Sequence, residues 1–466
     1  MLLFAGLALA TGALAALDVR LALAGALAVM GTIAVVSRPA LGGLILVATV
    51  PVTSGLAAGV PFPLLRPSEA AILGIGALFL VLALRPAVRW NSLDWAVAAY
   101  CIGSITIGAF HELQAGTLAT NVIAVTAPLQ FLLLYRIVAS TLERPEDRST
   151  ALRLLVLLSI PVSIIGILQQ FDIGPTQTFI ETATKSTIFD TWGFENYPRA
   201  TSIFPNWHTF AGYLAVVILL GLARLTSQHA PRRRVETLVA VGIATGALAL
   251  TQTFTSIFAV AFGTVLILRR QRAWHIAPWA LVLGGIALAF FGSFLGQRFE
   301  EQWIGREDSS LLPQTVDYRI EVWTEQYFPL IGQYWPLGYG TGIPPEVDWV
   351  YTESGYLTLL LRGGVGLVIA AAFLIGTSYS TANRVSRNRT GDDRAGALCV
   401  VAVSLALIPM NVVWPYLTNS GLTQAFFVVL GLVRAASAST ERAPAPEYPA
   451  QPVAVSRNRP APDPPG

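Results

Sequence analysis

The sequence predicts an all-α integral membrane protein, a polytopic bundle of about 12–14 transmembrane helices with a large extracytoplasmic loop. Three observations predict it. The chain is 54% hydrophobic and 12% charged, with a mean hydropathy of +0.60. Soluble domains run to about a quarter charged. Apolar stretches near the ~17–25 residues needed to cross a hydrocarbon core recur along the chain. Arginines gather in some of the connections between those stretches and leave others bare.

Taken in order, the spans fall near 2–17, 21–37, 40–58, 69–85, 92–110, 118–139, 150–169, 205–224, 235–251, 254–268, 274–294, 355–377, 395–412 and 420–435. The first two are short enough to form a re-entrant pair, which gives the lower count. The N-terminus has no basic n-region, so Met1 to Leu17 reads as a first span rather than a cleaved signal. Four connections are basic: Arg144 with Arg148; Arg232, Arg233 and Arg234; Arg269, Arg270 and Arg272; and Arg384, Arg387, Arg389 and Arg394. The positive-inside rule assigns these to the cytoplasm. A path alternating through the spans satisfies all four, puts both termini in the cytoplasm and leaves two long outer loops, about 170–204 and 295–354.

Residues 1–435 therefore read as one polytopic membrane domain. Residues 436–466, rich in Pro and Ala, read as a disordered cytoplasmic tail. The net charge of +3 is no nucleic-acid signature, and Lys185 is the only lysine. Cys101 and Cys399 lie in apolar segments without metal-ligand spacing, so neither a metal site nor a disulfide framework is expected.

Chemistry is sought in the outer loops, where Arg, carboxylates, aromatics and closely spaced glycines concentrate. Arg199 stands just before the helix start Pro205-Asn206, at the outer interface. There it either snorkels to lipid phosphate or binds a phosphorylated ligand. His208, one turn into that helix, is either a polar cap or core histidine or a ligand-facing group. In the second loop Val316, Ile320, Trp323 and Tyr327 recur at helical spacing and predict an amphipathic helix near the membrane surface. Arg319 and Trp323, four apart, share a face. They form either a cation–π pair or a guanidinium and stacking platform for a sugar-phosphate. Gly338, Gly340 and Gly342 permit backbone amides to approach a ligand. Glu353 precedes the apolar run that begins at Gly355. It is either a helix-start carboxylate opposing the macrodipole or a general base at the membrane face, with Asp348, Glu346 and His208 as the fallback bases.

In this order the pieces resemble the O-antigen ligase and Wzy-type polysaccharide polymerase superfamily over roughly 120–435. The matching residues are Arg199 with Pro205-Asn206 and Gly212-Tyr213-Leu214, then Arg319 with Trp323. Pro336-Leu337-Gly338-Tyr339-Gly340 follows, and then Glu353-Ser354-Gly355-Tyr356-Leu357 leading to Gly363-Gly364-Val365-Gly366. Two positions depart from the pattern. Glu353 replaces the ligase histidine, which favours polymerase over ligase. Thr253-Phe254-Thr255-Ser256 stands where the family has a Ser-Arg pair.

The resemblance implies a metal-independent glycosyltransferase of the cell (inner) membrane without a cofactor. It would take a polyprenyl-pyrophosphate-linked oligosaccharide at the outer face and pass it to an acceptor glycan, alongside a chain-length regulator and a flippase. Glu353 would be its catalytic base. Arg199, Arg319, Trp323, His208, Gly338, Gly340 and Tyr356 would bind substrate. Ligase-type transfer to a lipid or protein acceptor is the alternative within the enzyme reading. A polysaccharide transporter or flippase is the rival outside it, although such proteins place ionisable groups inside their spans. A helix bundle acting only as a scaffold is a third.

Overall fold

The computed structural model describes residues 31–59, 65–81, 89–186, 199–227, 231–274, 277–301, 313–342, 352–418 and 420–441. Among them the regular structure is helical throughout. Eight helices are long and apolar enough to cross a membrane, so the chain is a multi-pass membrane protein. They are α3 (Ser92–Gln114), α4 (Leu118–Thr141), α5 (Pro145–Gln170), α7 (Trp207–Ser227), α9 (Phe254–Gln271), α13 (Gly355–Asn388), α14 (Gly391–Val413) and α15 (Leu422–Glu441). Two shorter apolar helices, α1 (Pro39–Thr53) and α2 (Pro67–Val81), precede them. A short helix, α6, covers Thr176–Thr184. Then α8 (Pro231–Leu250) and α10 (Ala277–Glu301) occupy the remaining expected spans. The expected span 2–17, the first part of 21–37, and the tail beyond 441 lie outside the described residues.

Three boundaries differ from expectation. Helix α10 runs to Glu301, so the segment read as a loop from 295 begins as helix. Helix α15 runs to Glu441, past the expected domain end at 435. The amphipathic helix of the second loop is two helices joined by a π turn: α11 (Gln314–Val322), Trp323–Tyr327, then α12 (Phe328–Tyr334). A π turn adds a residue to the helical repeat. Its effect is to bury Val322 and Tyr327, five apart, against Leu361, while Ile320 faces out.

The centre of the bundle is α7, α14 and α15, which are 89%, 72% and 94% buried, against 28–44% for the other five spans. Apolar side chains gain little by leaving lipid for one another, so close packing at small residues has to carry association. A Cβ on Gly221 would stand 2.3 Å from Val241, and one on Gly263 would stand 2.6 Å from Leu219. Those two glycines set how closely α8 and α9 approach α7.

The four basic connections meet at one end. Arg148 of α5 grips Asp393 of α14 through Nε and Nη2 at 2.7 and 2.6 Å. Arg224 of α7 reaches Asp392 at 3.0 Å, Arg153 pairs with Glu236 at 2.6 Å, and Arg394 donates to the Arg270 carbonyl at 3.3 Å. Asp94 belongs to the same end. It closes a capping box on α3, accepting from the Asn91 amide at 2.8 Å, and it also receives Arg136 at 2.6 Å, Arg434 at 2.9 Å and Tyr135 at 3.0 Å. The connections that the sequence groups by orientation are thus joined physically, and the enclosed pairs Arg148–Asp393, Arg224–Asp392 and Arg434–Asp94 satisfy charges that would be costly alone.

Candidate active site

The opposite end gathers the sequence-derived candidates. Helix α13 starts at Ser354, whose hydroxyl accepts from the Leu357 amide at 3.4 Å. The residue before that cap, Glu353, has φ +50°, a left-handed conformation uncommon outside glycine. Two contacts hold it there. Trp323 Nε1–H of the π turn donates to the Thr352 carbonyl at 2.8 Å. Arg319 of α11 reaches Glu353 Oε2 through Nε and Nη2, both at 3.3 Å. Both side chains of this ion pair are largely enclosed, 14% and 12% exposed. Burial raises the Glu353 carboxyl above its ordinary value, and Arg319 and Arg199 pull it down. The result is a carboxylate more basic than a free one, held on strained backbone.

Arg199 sits where the chain enters α7. Its Nε donates to the Thr251 carbonyl at 3.0 Å, and its Nη2 donates to the Gln252 carbonyl at 3.0 Å and to Thr253 Oγ1 at 3.3 Å. Its guanidinium also lies 4.2 Å above the Trp207 ring. These contacts bind it to the α8–α9 turn, in which Gln252 has φ +50°. Thr253 opens the segment Thr253-Phe254-Thr255-Ser256. His208 stacks on Trp414 at 4.2 Å, and its Nδ1 is buried without a hydrogen-bond partner among the described residues. Arg199, Arg319 and Arg298 all lie within electrostatic reach of that ring.

The structure therefore brings Arg199, His208, Arg319, Trp323 and Glu353 to one end. The cation–π pair weighed for Arg319 and Trp323 is not among the contacts of the described residues. Arg319 turns to Glu353 instead, and the indole is anchored through its N–H.

Gly338, Gly340 and Tyr356 are engaged elsewhere. Gly338 donates to the Tyr334 carbonyl at 2.7 Å, Tyr339 to Leu361 at 2.7 Å and Gly340 to Arg362 at 3.0 Å. Their amides are thus spent on the protein's own backbone rather than left for a ligand. The acceptors surround a break in α13 at Gly364, with φ +65° and ψ −172°. A Cβ there would stand 2.1 Å from the Pro336 carbonyl, and one on Gly338 would stand 2.3 Å from the Arg362 carbonyl carbon. These glycines are a docking joint between the loop and α13. The Tyr356 hydroxyl donates to the Ile408 carbonyl at 2.8 Å and ties α13 to α14. The fallback bases Glu346 and Asp348 lie outside the described residues.

Tyr318, Arg298, Trp207 and Trp414 join the site without having been selected from the sequence. Burial, with Glu353 and Glu321 adding to it, pushes the Tyr318 hydroxyl up to about 12, so it stays a proton donor at neutral pH. A signal for Arg298 was present. Like Arg199 and Arg319, it lies outside the four basic connections, and arginines that break the positive-inside bias are the ones to suspect. Among the described residues no three His, Cys, Asp or Glu side chains converge in a group suited to a metal ion. A scan of the chain against protein-family models found no match, and a search of curated proteins returned none either.

Proposed function

We propose that this chain is a polymerase-type membrane glycosyltransferase of the cell membrane. It takes a polyprenyl-pyrophosphate-linked glycan at the outer face and passes it to an acceptor sugar. The observation that carries this reading is the enclosed Arg319–Glu353 pair on left-handed backbone, at the end of the bundle that also holds Arg199 and His208. In the reaction an acceptor hydroxyl attacks the anomeric carbon, Glu353 takes the hydroxyl proton, and the carbon–oxygen bond to pyrophosphate breaks with its electron pair leaving on that oxygen. Guanidinium groups suit the leaving group, because they present paired donors and never lose their charge. Arg319 would couple the two events. Once its charge is shared with a pyrophosphate, its pull on Glu353 weakens, and the carboxylate becomes the stronger base.

The orientation belongs to the same proposal: basic end in the cytoplasm, Glu353 end outside. Impermeant thiol labelling should reach Tyr318→Cys and not Ser227→Cys. The functional experiment is deletion of the chain followed by sizing of the surface glycan. Loss of long chains with single repeats retained supports the polymerase. Loss of attached glycan with lipid-linked polymer accumulating outside supports ligase-type transfer instead. Lipid-linked repeats trapped inside support transport, a reading favoured by three broken spans, α4 at Ala127–Pro128, α5 at Leu158 and α13 at Gly364.

A further inference from the structure

Beside the Glu353 site lies a cavity of about 510 Å³. It is walled by α2, α3, α4, α13, the glycine segment and the start of α15, and it falls in the ~300–1,000 Å³ range of small-molecule sites. Two of the three broken spans border it, α4 and α13. Ala127 and Pro128, at the break in α4, line it, as do Arg362 and Leu367, which flank the break in α13. Interrupted helices inside a membrane bundle are tolerated where they line a polar cavity, because the freed backbone groups need partners.

The lining is rich in hydroxyls and amides: Ser104, Asn121, Gln130, Thr341, Thr358 and Gln424. These groups can both donate to and accept from a hydroxyl-bearing ligand. Gln130 lies 12 residues beyond the start of α4, roughly 18 Å along the span at ~1.5 Å per residue. The cavity therefore reaches about half the depth of a ~30 Å hydrocarbon core. None of the residues that pair at the basic end lines it. It meets the Glu353 site at Thr358, which is hydrogen-bonded to the Thr352 hydroxyl and donates to the Ser354 carbonyl on either side of Glu353.

We infer that this cavity binds the hydroxyl-rich, lipid-free end of the acceptor glycan, holding its terminal sugar toward Glu353. The inference rests on the transferase reading above and supplies its acceptor subsite. The arginines at Glu353 suit an anionic pyrophosphate. Here Arg66 and Arg362 face one carboxylate, Glu69, in a lining whose other polar groups are neutral hydroxyls and amides, and it is these that suit a polyol.

The test uses the full chain in nanodiscs and calorimetry with oligosaccharides of one to three repeats, released by mild acid from the producing strain's surface glycan. Saturable binding is expected. Gln130→Leu, which removes the amide, and Ser104→Phe, which fills the cavity, should each weaken it at least ~10-fold, while Arg153→Ala, at the opposite end, stays within ~2-fold. Melting temperatures identify a variant that fails to fold, and the other then carries the test. No saturable binding to wild type, as for a cavity that holds only water, overturns the inference. So does wild-type affinity in a folded Gln130→Leu or Ser104→Phe protein. Binding lost as expected, in a protein whose deletion leaves surface glycan unchanged, supports a sugar site and overturns the transferase reading.

Discussion

The two ends of the bundle hold their most enclosed arginines differently. At the basic end Asp393 holds Arg148, Asp392 holds Arg224, and Asp94 holds both Arg136 and Arg434, while Arg394 and Arg389 turn to carbonyls. Arg434 and Asp94 are fully enclosed. At the other end Arg199 is held by two carbonyls, a hydroxyl and an indole face. The first arrangement locks helices together, and the second ties Arg199 to the α8–α9 turn. Arg319 stands between them, with one carboxylate at 3.3 Å, a longer contact than the 2.6 Å of Arg148 to Asp393.

Mutations at the two ends should therefore fail differently. The largest stability loss is expected for Asp94→Asn, which strands buried Arg434. Removing one member of a buried pair typically costs ~3–5 kcal/mol. A depressed melting temperature in detergent is the expected result, and an unchanged one would show that Asp94 does not hold the bundle. Gly364→Ala comes next. Its backbone conformation is nearly closed to other residues, a strain of ~1–3 kcal/mol before the clash with Pro336 is added. Hydrogen exchange over 334–342 should rise sharply as the glycine segment loosens from α13, and protection equal to wild type would refute the joint.

Arg319→Gln should act on pH dependence. Arg319 lowers the Glu353 carboxyl while burial raises it, so removing the arginine leaves burial with less opposition and moves the carboxyl up. A base works only when deprotonated. The acid limb of residual activity should therefore shift to higher pH, and a limb left in place would uncouple the pair. The smallest effect is expected at the basic end for Arg153→Ala. Its pair is 43% and 24% exposed, and such surface pairs contribute ~0–1 kcal/mol. A melting temperature close to wild type is the outcome that fits.

How much of this was legible depends on what a linear pattern records. Spans from 40 onward appear as helices because twenty apolar residues in lipid have few other ways to satisfy their backbone. The boundaries that moved are polar ones, since Gly296 to Glu301 and Ala436 to Glu441 extend helices without any hydropathy signal. Arg199, Arg319 and Glu353 were readable as polar groups where apolar runs begin. Most of their partners were not, because the contacts of Arg199 with 251–253 and of Arg319 with Glu353 cross more than thirty residues; the Trp207 face under Arg199 is eight residues on. The π turn at Trp323–Tyr327 shifted the buried face away from the expected helical repeat. The glycines misled for a physical reason: a glycine that lets a ligand approach and one that lets a helix break dock look alike in sequence.

The central claim is that the Glu353 end carries out chemistry. It is tested most directly by Glu353→Gln in the deletion strain, with surface-glycan length and melting temperature measured on the same protein. Glutamine keeps the size and the hydrogen bonding and removes the proton-accepting charge. General-base catalysis contributes ~10²–10⁴-fold, so the account predicts no detectable long-chain glycan from a protein that expresses and melts like wild type. Glycan of normal length made by a normally expressed Glu353→Gln protein would contradict it, and would reduce Glu353 to a helix-start carboxylate.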